Sequence, residues 1–100
     1  MRLTSYKLFF KALSNKTRFE IIQLLRKELL DVTSISKRLR FEQSRVSHNL
    51  KCLESCGFVV SRRDGKSKVY YLDNQHIIPI LNEIDNTLNN TKKDLKDAEC

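Results

Sequence analysis

The fold of this chain is decided by residues 32–72, which read VTSISKRLRFEQSRVSHNLKCLESCGFVVSRRDGKSKVYYL. The spacing of the apolar residues predicts two short helices, the first ending near Arg40 and the second covering about residues 43–55. Phe58-Val59-Val60 and residues 69–72 are rich in β-branched and aromatic side chains, so both are predicted strands. The Asp64-Gly65 pair between them predicts a hairpin turn.

The second of these helices has an apolar face and a polar face. Val46, Leu50 and Leu53 recur at helical spacing and are predicted to be buried. The side chains able to hydrogen-bond to base edges or phosphates are Gln43, Ser44, Arg45, Ser47, His48, Asn49 and Lys51. The hairpin places four cations around its turn, namely Arg62, Arg63, Lys66 and Lys68. A polar helix followed by a cationic ribbon suits a DNA duplex, because the major groove admits a helix and the ribbon can reach neighbouring phosphates.

Two helices are predicted before this stretch, over about residues 3–13 and 16–28, and Asn15 can cap the second. The apolar face of the second is predicted to hold Phe19, Ile21, Ile22, Leu24, Leu25 and Leu29. Leu30-Asp31 is predicted to be a plain link, after which Asp31 or Thr33 caps the next helix.

A last helix is predicted over about residues 76–95, with a frayed polar tail. Its apolar residues alternate spacings of four and three, interrupted at Thr91, and form the seam Ile77, Leu81, Ile84, Leu88 and Leu95. At 1.5 Å per residue the seam from Ile77 to Leu95 is ~27 Å long, which exceeds what so small a body covers. An interface with a second copy of the chain is therefore favoured over an intramolecular core.

Composition bounds the class of protein. One hundred residues are enough for one domain, and 40% hydrophobic with 31% charged residues are typical of a globular chain. No apolar run approaches the ~18 residues of a membrane span, and the first residues lack the apolar core of a secretion signal. Three cysteines, an odd number, make no disulfide framework. We therefore expect a single-domain cytoplasmic protein with reduced thiols and no membrane contact.

The net charge of +7 is unevenly distributed along the chain. Residues 1–31 carry +4, residues 32–72 carry +6 and residues 73–100 carry −3. The strongest positive charge therefore coincides with the predicted helix pair and hairpin, where a polyanion would bind. Double-stranded DNA is the expected partner, and a merely solvated basic face is the less favoured interpretation.

Two segments resemble a known family of regulators. LFFKALSNKTRFEIIQLL at residues 8–25 resembles the opening of ArsR/SmtB-type repressors, and residues 42–72 resemble their recognition helix and wing. The most specific matches are Ala12-Leu13, Thr17-Arg18, Val46-Ser47, Leu50-Lys51, Leu53, Gly57 and Tyr70-Tyr71. The resemblance implies a mainly α-helical winged helix–turn–helix repressor (α-α-α-α-β-β-α) that binds an inverted-repeat operator. It also implies a homodimer through the last-helix seam and the first helix, where the candidates are Leu3, Tyr6 and Phe10.

The usual metal sites of that family are not reproduced in this sequence. The paired thiolates of the first site fall on Asp31 and Thr33, and neither residue is a thiol. The positions of the second site fall on Asn74, His76, Thr87 and Asn90. One imidazole does not make a zinc site. We therefore expect no metal at either place and no other cofactor.

The inducing signal is open between thiol chemistry at the cysteines, an unknown ligand in the dimer cleft, and no ligand at all. Cys52 and Cys56 are one helical turn apart, so their side chains can approach each other. As small hydrophobic residues they would pack in the core, which is the favoured interpretation. Alternatively they form a thiol sensor for arsenite or oxidants, with Cys100 as a third ligand.

The sequence carries no catalytic constellation, so we do not expect an enzyme. The two glycines, Gly57 and Gly65, are both explained by turns, which leaves no glycine-rich phosphate loop. Two alternatives to a sequence-specific repressor are a winged-helix protein–protein interaction module and a non-specific architectural or RNA-binding protein. The first would have a neutral or apolar recognition face, and the second needs only basic charge. The polar, cationic set on the second helix of the pair argues against both.

Overall fold

The computed structural model describes residues 3–90. Its elements, in chain order, are α1 (Leu3–Ser14), α2 (Lys16–Leu25), β1 (Leu30–Asp31), α3 (Val32–Leu39), α4 (Gln43–Ser55), β2 (Val59–Asp64), β3 (Ser67–Leu72) and α5 (Ile77–Asn90). The predicted mainly helical winged helix–turn–helix fold is confirmed. Within the described part of the chain, none of the helices has the length and apolar character needed to cross a bilayer.

The sheet has one strand more than the sequence predicted. The three strands are antiparallel in the order β1-β3-β2. Leu30 pairs with Tyr70 and Asp31 with Val69, so the segment predicted to be a plain link is an edge strand. Two residues are too few to show a periodicity of two, and their extended conformation comes from pairing with β3.

The hairpin turn lies one residue later than predicted. Asp64 is the last residue of β2 and pairs with Ser67, which leaves Gly65 and Lys66 as the two central residues. Gly65 has a φ of 65°, and glycine at the first central position is typical of a type II′ turn. The wing is therefore tight, with Lys66 at its tip.

The helix boundaries follow local capping chemistry. The Asn15 side chain accepts a hydrogen bond from the Arg18 backbone N at 3.0 Å, as predicted for the start of α2. Asp31, rather than Thr33, caps α3 and accepts from the Ser34 backbone N at 2.8 Å. Gly57 has the left-handed φ of 83° that was expected after α4.

Helix α2 ends at Leu25, three residues before the predicted end. Ile21, Ile22 and Leu25 are buried, whereas Phe19 and Leu29 are exposed, so the predicted apolar face was too wide. The reason is the missed strand: the chain leaves the helix after Leu25 because Leu30 must reach its partner in β3.

The core lies between the helices and the sheet. Val46, Leu50 and Leu53 of α4 are fully buried, as the sequence predicted. Their main companions are Ile21, Ile22, Ile35, Phe58, Val59 and Leu72. Burying a side chain of this size stabilises the fold by ~1.5–3 kcal/mol. Because α4 is anchored along this face, its opposite face is presented to solvent.

Helix α5 divides its apolar stripe between two environments. Ile77 and Leu81 are only 6% and 4% exposed and belong to the core, whereas Ile84 and Leu88 are 40% and 42% exposed. The prediction that Ile77 and Leu81 form an intermolecular seam was therefore wrong, because the first two turns of α5 pack on the body. Thr91 and Leu95 lie outside the described residues.

Candidate nucleic-acid interface

One face of α4 presents most of the polar set that the sequence singled out. The exposed members are Gln43, Ser44, Arg45, Ser47, His48 and Lys51. They lie opposite the three fully buried leucine and valine positions of the same helix. The arrangement places donors and acceptors of several lengths along about three turns, where they can meet the edges of base pairs.

Asn49 does not belong to this exposed face. It is 8% exposed, its Nδ2 donates to the Arg45 carbonyl at 2.9 Å, and its Oδ1 accepts from Arg18 Nη1 at 3.3 Å. Its assignment to the DNA-binding set is therefore corrected to a structural role. The sequence did contain the signal, because position 49 follows Val46 by three residues and so shares its buried face.

Arg18 has a structural role that could not be predicted from the Thr17-Arg18 motif alone. Its Nε donates to the Ala12 carbonyl at 3.1 Å and its Nη2 to the Lys11 carbonyl at 3.3 Å, which satisfies the end of α1. Together with its bond to Asn49, the guanidinium joins α1 to α4. No local pattern identifies such a contact, because its partners lie 6 and 31 residues away.

The first turn of α4 is fixed by residues from other elements. Gln43 Nε2 donates to the Thr33 hydroxyl at 3.4 Å. Arg45 Nη2 donates to the Thr17 hydroxyl in α2, and the Arg45 guanidinium lies 3.9 Å from the centroid of the Phe41 ring. The side chains predicted to read bases are therefore partly ordered before any ligand binds.

The wing presents all four of its predicted cations. Arg62, Arg63, Lys66 and Lys68 are exposed, and pairing of Arg63 with Lys68 places both on the ribbon just before its tip. Glu54 of α4 braces this arrangement. Its carboxylate accepts from the Ser61 hydroxyl at 2.7 Å and lies 4.0 Å from Lys68 Nζ, which ties α4 to the ribbon.

The two described cysteines are not core residues. Cys52 is half-buried and Cys56 is exposed, so the favoured interpretation of both as buried hydrophobes was wrong. Partial burial raises the pKa of the Cys56 thiol, the Cys52 thiol raises it further, and the positive charge of Arg18 opposes both. The Cys56 thiol is therefore harder to deprotonate than an ordinary thiol. Cys100 lies outside the described residues.

The residues at the usual family metal positions are otherwise engaged or lack the chemistry. Asp31 is a helix cap, and hydrogen bonds from Ser34 lower the pKa of its carboxyl. His76 Nδ1 lies 2.8 Å from Asp73 Oδ2 in the turn before α5. Among residues 3–90, no three His, Cys, Asp or Glu side chains are grouped so as to hold a metal ion. These positions do not fit a metal centre.

Within residues 3–90, apolar faces on α1 and α5 are exposed. On α1 the face is formed by Leu3, Tyr6 and Phe10, all exposed. On α5 an open groove is lined by Pro79, Ile80, Glu83, Ile84, Thr87 and Leu88. Of the predicted interface residues, Leu3, Tyr6, Phe10, Ile84 and Leu88 are thus available to a partner. Ile80 was missed, because it lies one residue outside the alternating seam.

Known proteins share this architecture. The family model described as bacterial regulatory protein, arsR family, matches residues 15–61. The HTH-type transcriptional regulator NmtR of Mycobacterium tuberculosis is 40% identical over 73 residues, which are 73% of this chain and 61% of that protein. The HTH-type transcriptional regulator CmtR of Mycobacterium bovis is 30% identical over 84 residues, covering 84% and 71%.

A solved structure agrees in fold. The homodimeric winged helix-turn-helix DNA-binding domain of Mb0332 from Mycobacterium bovis matches with a TM-score of 0.81 and 24% identity, over 91% of this chain and 84% of that one. The chain spans less than two thirds of the length of NmtR and more than two thirds of CmtR. On the match to CmtR and the family model, the chain belongs to the arsR family of bacterial regulatory proteins, a family of regulators rather than enzymes.

Proposed function

We propose that this chain is a single-domain, sequence-specific DNA-binding transcriptional repressor. The observation that carries the proposal is the exposed polar face of α4 beside a wing with four exposed cations. In this arrangement α4 enters the major groove, where its N-terminal half reads bases, and the wing binds the neighbouring backbone. The charge of +6 over residues 32–72 supports the proposal that this surface binds DNA.

The proposal includes a homodimer. The exposed apolar faces of α1 and α5 are the surfaces that a second copy would bury. The structurally similar Mb0332 domain of Mycobacterium bovis is a homodimer. A two-fold dimer presents two copies of α4, so the operator is an inverted repeat. Its half-site centres lie about one helical turn of DNA, ~34 Å, apart.

We propose that a thiophilic species acting at Cys52 and Cys56 releases the protein from DNA. Cys52 lies in the last turn of α4 and Cys56 is the C-cap residue of that helix, one turn further on, where the Cys52 thiol contributes to the raised pKa of the Cys56 thiol. Soft ions prefer thiolates, and a third thiol such as Cys100 would complete a three-coordinate site for arsenite. Zinc is not expected to act through the usual family positions, which do not fit a metal.

The DNA-binding proposal is tested by affinity for a duplex selected with the wild-type protein from a random-sequence library. Gln43→Ala and Arg45→Ala are each expected to cost ~1–3 kcal/mol and to relax specificity at one position. Gln75→Ala is the matched control, because Gln75 is exposed in the turn before α5. Unchanged affinity of both variants for every single-base variant of the duplex would remove α4 from the groove.

The signal is tested by titrating the protein–DNA complex with arsenite, zinc and an oxidant. Release by arsenite is expected for the wild type and is expected to be abolished in Cys52→Ser and Cys56→Ser. Cys100→Ser distinguishes a three-thiol site from a two-thiol one. Stoichiometric zinc binding that abolishes DNA affinity would refute the proposed signal.

A further inference from the structure

The Arg45 side chain is held from two directions. Its guanidinium lies against Phe41, 3.9 Å from the ring centroid, while its Nη2 donates to the hydroxyl of Thr17. Both partners are immobilised by the fold, since Thr17 is a buried residue in the first turn of α2 and Phe41 packs against the core. An exposed arginine without such partners would sample many rotamers.

Enough of the guanidinium remains available for a ligand. An arginine has five N–H donors in a rigid fork, and Thr17 receives one of them. Within residues 3–90 the Arg45 side chain makes no other hydrogen bond. The neighbouring ring also restricts the plane of the fork, which decides whether two parallel bonds to one base can form.

The other exposed residues of α4 lack comparable support. Gln43 has a single long bond to Thr33, and in the described part of the chain the side chains of Ser44, Ser47 and His48 form no hydrogen bond to protein. Among the candidate base-reading residues, Arg45 is thus the one whose side-chain orientation is fixed before DNA binds. Ordering a free side chain on binding reduces affinity by roughly 2- to 10-fold, and prior ordering avoids this reduction.

We propose that Phe41 and Thr17 are positioning residues that preset Arg45 to read one guanine in each half-site. Guanine is the base whose O6 and N7 accept a parallel pair of bonds from an arginine fork. The inference rests on the proposed DNA-binding function and adds to it the residues that determine specificity at one base pair.

The test is a double-mutant cycle with the selected duplex, all of its single-base variants and a scrambled duplex of equal length. Arg45→Ala is expected to reduce affinity by roughly 10- to 100-fold and to abolish the preference for one guanine. Phe41→Leu and Thr17→Val are each expected to weaken that same preference by roughly 2- to 10-fold. In the Arg45→Ala background neither is expected to have a further effect, and Phe41→Tyr, which keeps the ring, is expected to retain the preference.

A second measurement examines the free protein. The Nε–H resonance of Arg45 is expected to be shifted by the ring current of Phe41, and to lose that shift in Phe41→Leu but not in Phe41→Tyr. This readout also covers the case in which a variant is too unstable for binding assays, because it tests the contact with Phe41 in the wild type itself.

The outcomes separate the two levels of the proposal. If the wild type binds selected and scrambled duplexes equally, sequence-specific binding itself fails. If the wild type is specific but the effects of the paired substitutions multiply, or Phe41→Leu weakens both duplexes equally, only the positioning role is refuted. An unshifted Arg45 resonance in the wild type would refute it without any DNA.

Discussion

At the residue scale, a few side chains act through bonds that join segments far apart in the chain. Arg18 bonds the end of α1 and reaches Asn49 in α4, so it joins two elements of the fold. Asn49 in turn bonds the Arg45 carbonyl. The polar residues of α4 therefore divide into the buried Asn49, which holds the helix in place, and the exposed residues that we propose to read DNA.

Asp31 provides the first prediction. Hydrogen bonds from Ser34 lower its pKa below the ordinary value of 3.8, so its cap is fully formed above that value and is disrupted as the pH falls through the lowered pKa. Asp31→Ala is expected to destabilise the protein by ~0.5–2 kcal/mol at neutral pH, and Asp31→Asn, which still caps, by less. Urea unfolding at pH 7 and near pH 3 measures both. An equal destabilisation at the two pH values would contradict the assignment.

A second prediction concerns the reactivity of the Cys56 thiol. Because its pKa is raised, alkylation by iodoacetamide is expected to be slow at pH 7 and to accelerate with rising pH beyond the range of an ordinary thiol. Cys52 contributes to the raised pKa, so Cys52→Ser is expected to move the profile to lower pH. Mass spectrometry of the modified peptide gives the rate. A rate that reaches its plateau near pH 7 would show an activated thiolate instead.

At the element scale, the recognition helix and the wing form one unit. Glu54 connects them through Ser61 and lies near Lys68, and the type II′ turn keeps the ribbon short. Residues that bind the DNA backbone need to be positioned less accurately than residues that read bases. The contacts differ in the same direction. Arg45 bonds Thr17 and lies 3.9 Å from the Phe41 centroid, whereas the wing cations have longer contacts: Lys68 is 4.0 Å from Glu54 and 5.4 Å from the Tyr70 centroid, and Arg62 is 5.9 Å from the Tyr71 centroid.

The wing is expected to contribute affinity without specificity. Arg62→Ala combined with Arg63→Ala should weaken binding to selected and scrambled duplexes alike. The dependence of log affinity on log salt should flatten by about 0.9 for each phosphate that the variant no longer neutralises. Lys11→Ala combined with Lys27→Ala removes the same charge elsewhere and serves as the control. Salt slopes that match the wild type would exclude the wing from the interface.

At the scale of the whole molecule, the apolar residues of α5 lie in two environments: the core of the chain, and an exposed face that we propose to be the dimer interface. Its first two turns complete the core of its own chain, and Arg26 at the end of α2 holds it through bonds of 2.8 Å to Asn82 and Asp85. Beyond Leu81 the apolar stripe continues through Ile84 and Leu88, which are 40% and 42% exposed. Under the proposed dimer, folding and dimerisation would therefore depend on different residues of one helix.

This division predicts opposite results for two neighbouring substitutions. Leu81→Asp places a charge in the core and is expected to unfold the chain, whereas Ile84→Asp is expected to give a folded monomer. Asn86→Asp adds the same charge on the opposite face of α5 and should remain dimeric. Sedimentation and circular dichroism distinguish the outcomes. A folded dimer of Ile84→Asp would refute the proposed interface.

The sequence by itself determined the elements whose signals are local and repeated. The apolar spacing of α4, the caps at Asn15 and Gly57 and the cations of the wing are all readable along the chain, because helical periodicity and capping involve residues a few positions apart. The exposed polar face of α4 followed directly from the burial of Val46, Leu50 and Leu53.

Only the tertiary structure decided the features that depend on distant partners. Strand β1 exists because Leu30 meets Tyr70, and the buried Asn49 finds its hydrogen-bond partner in Arg18, 31 residues earlier in the chain. The bond between Arg45 and Thr17 arises in the same way, from the packing of α4 on α2. The energy of such contacts depends on which surfaces the fold brings together, and no pattern of neighbouring residues encodes that meeting.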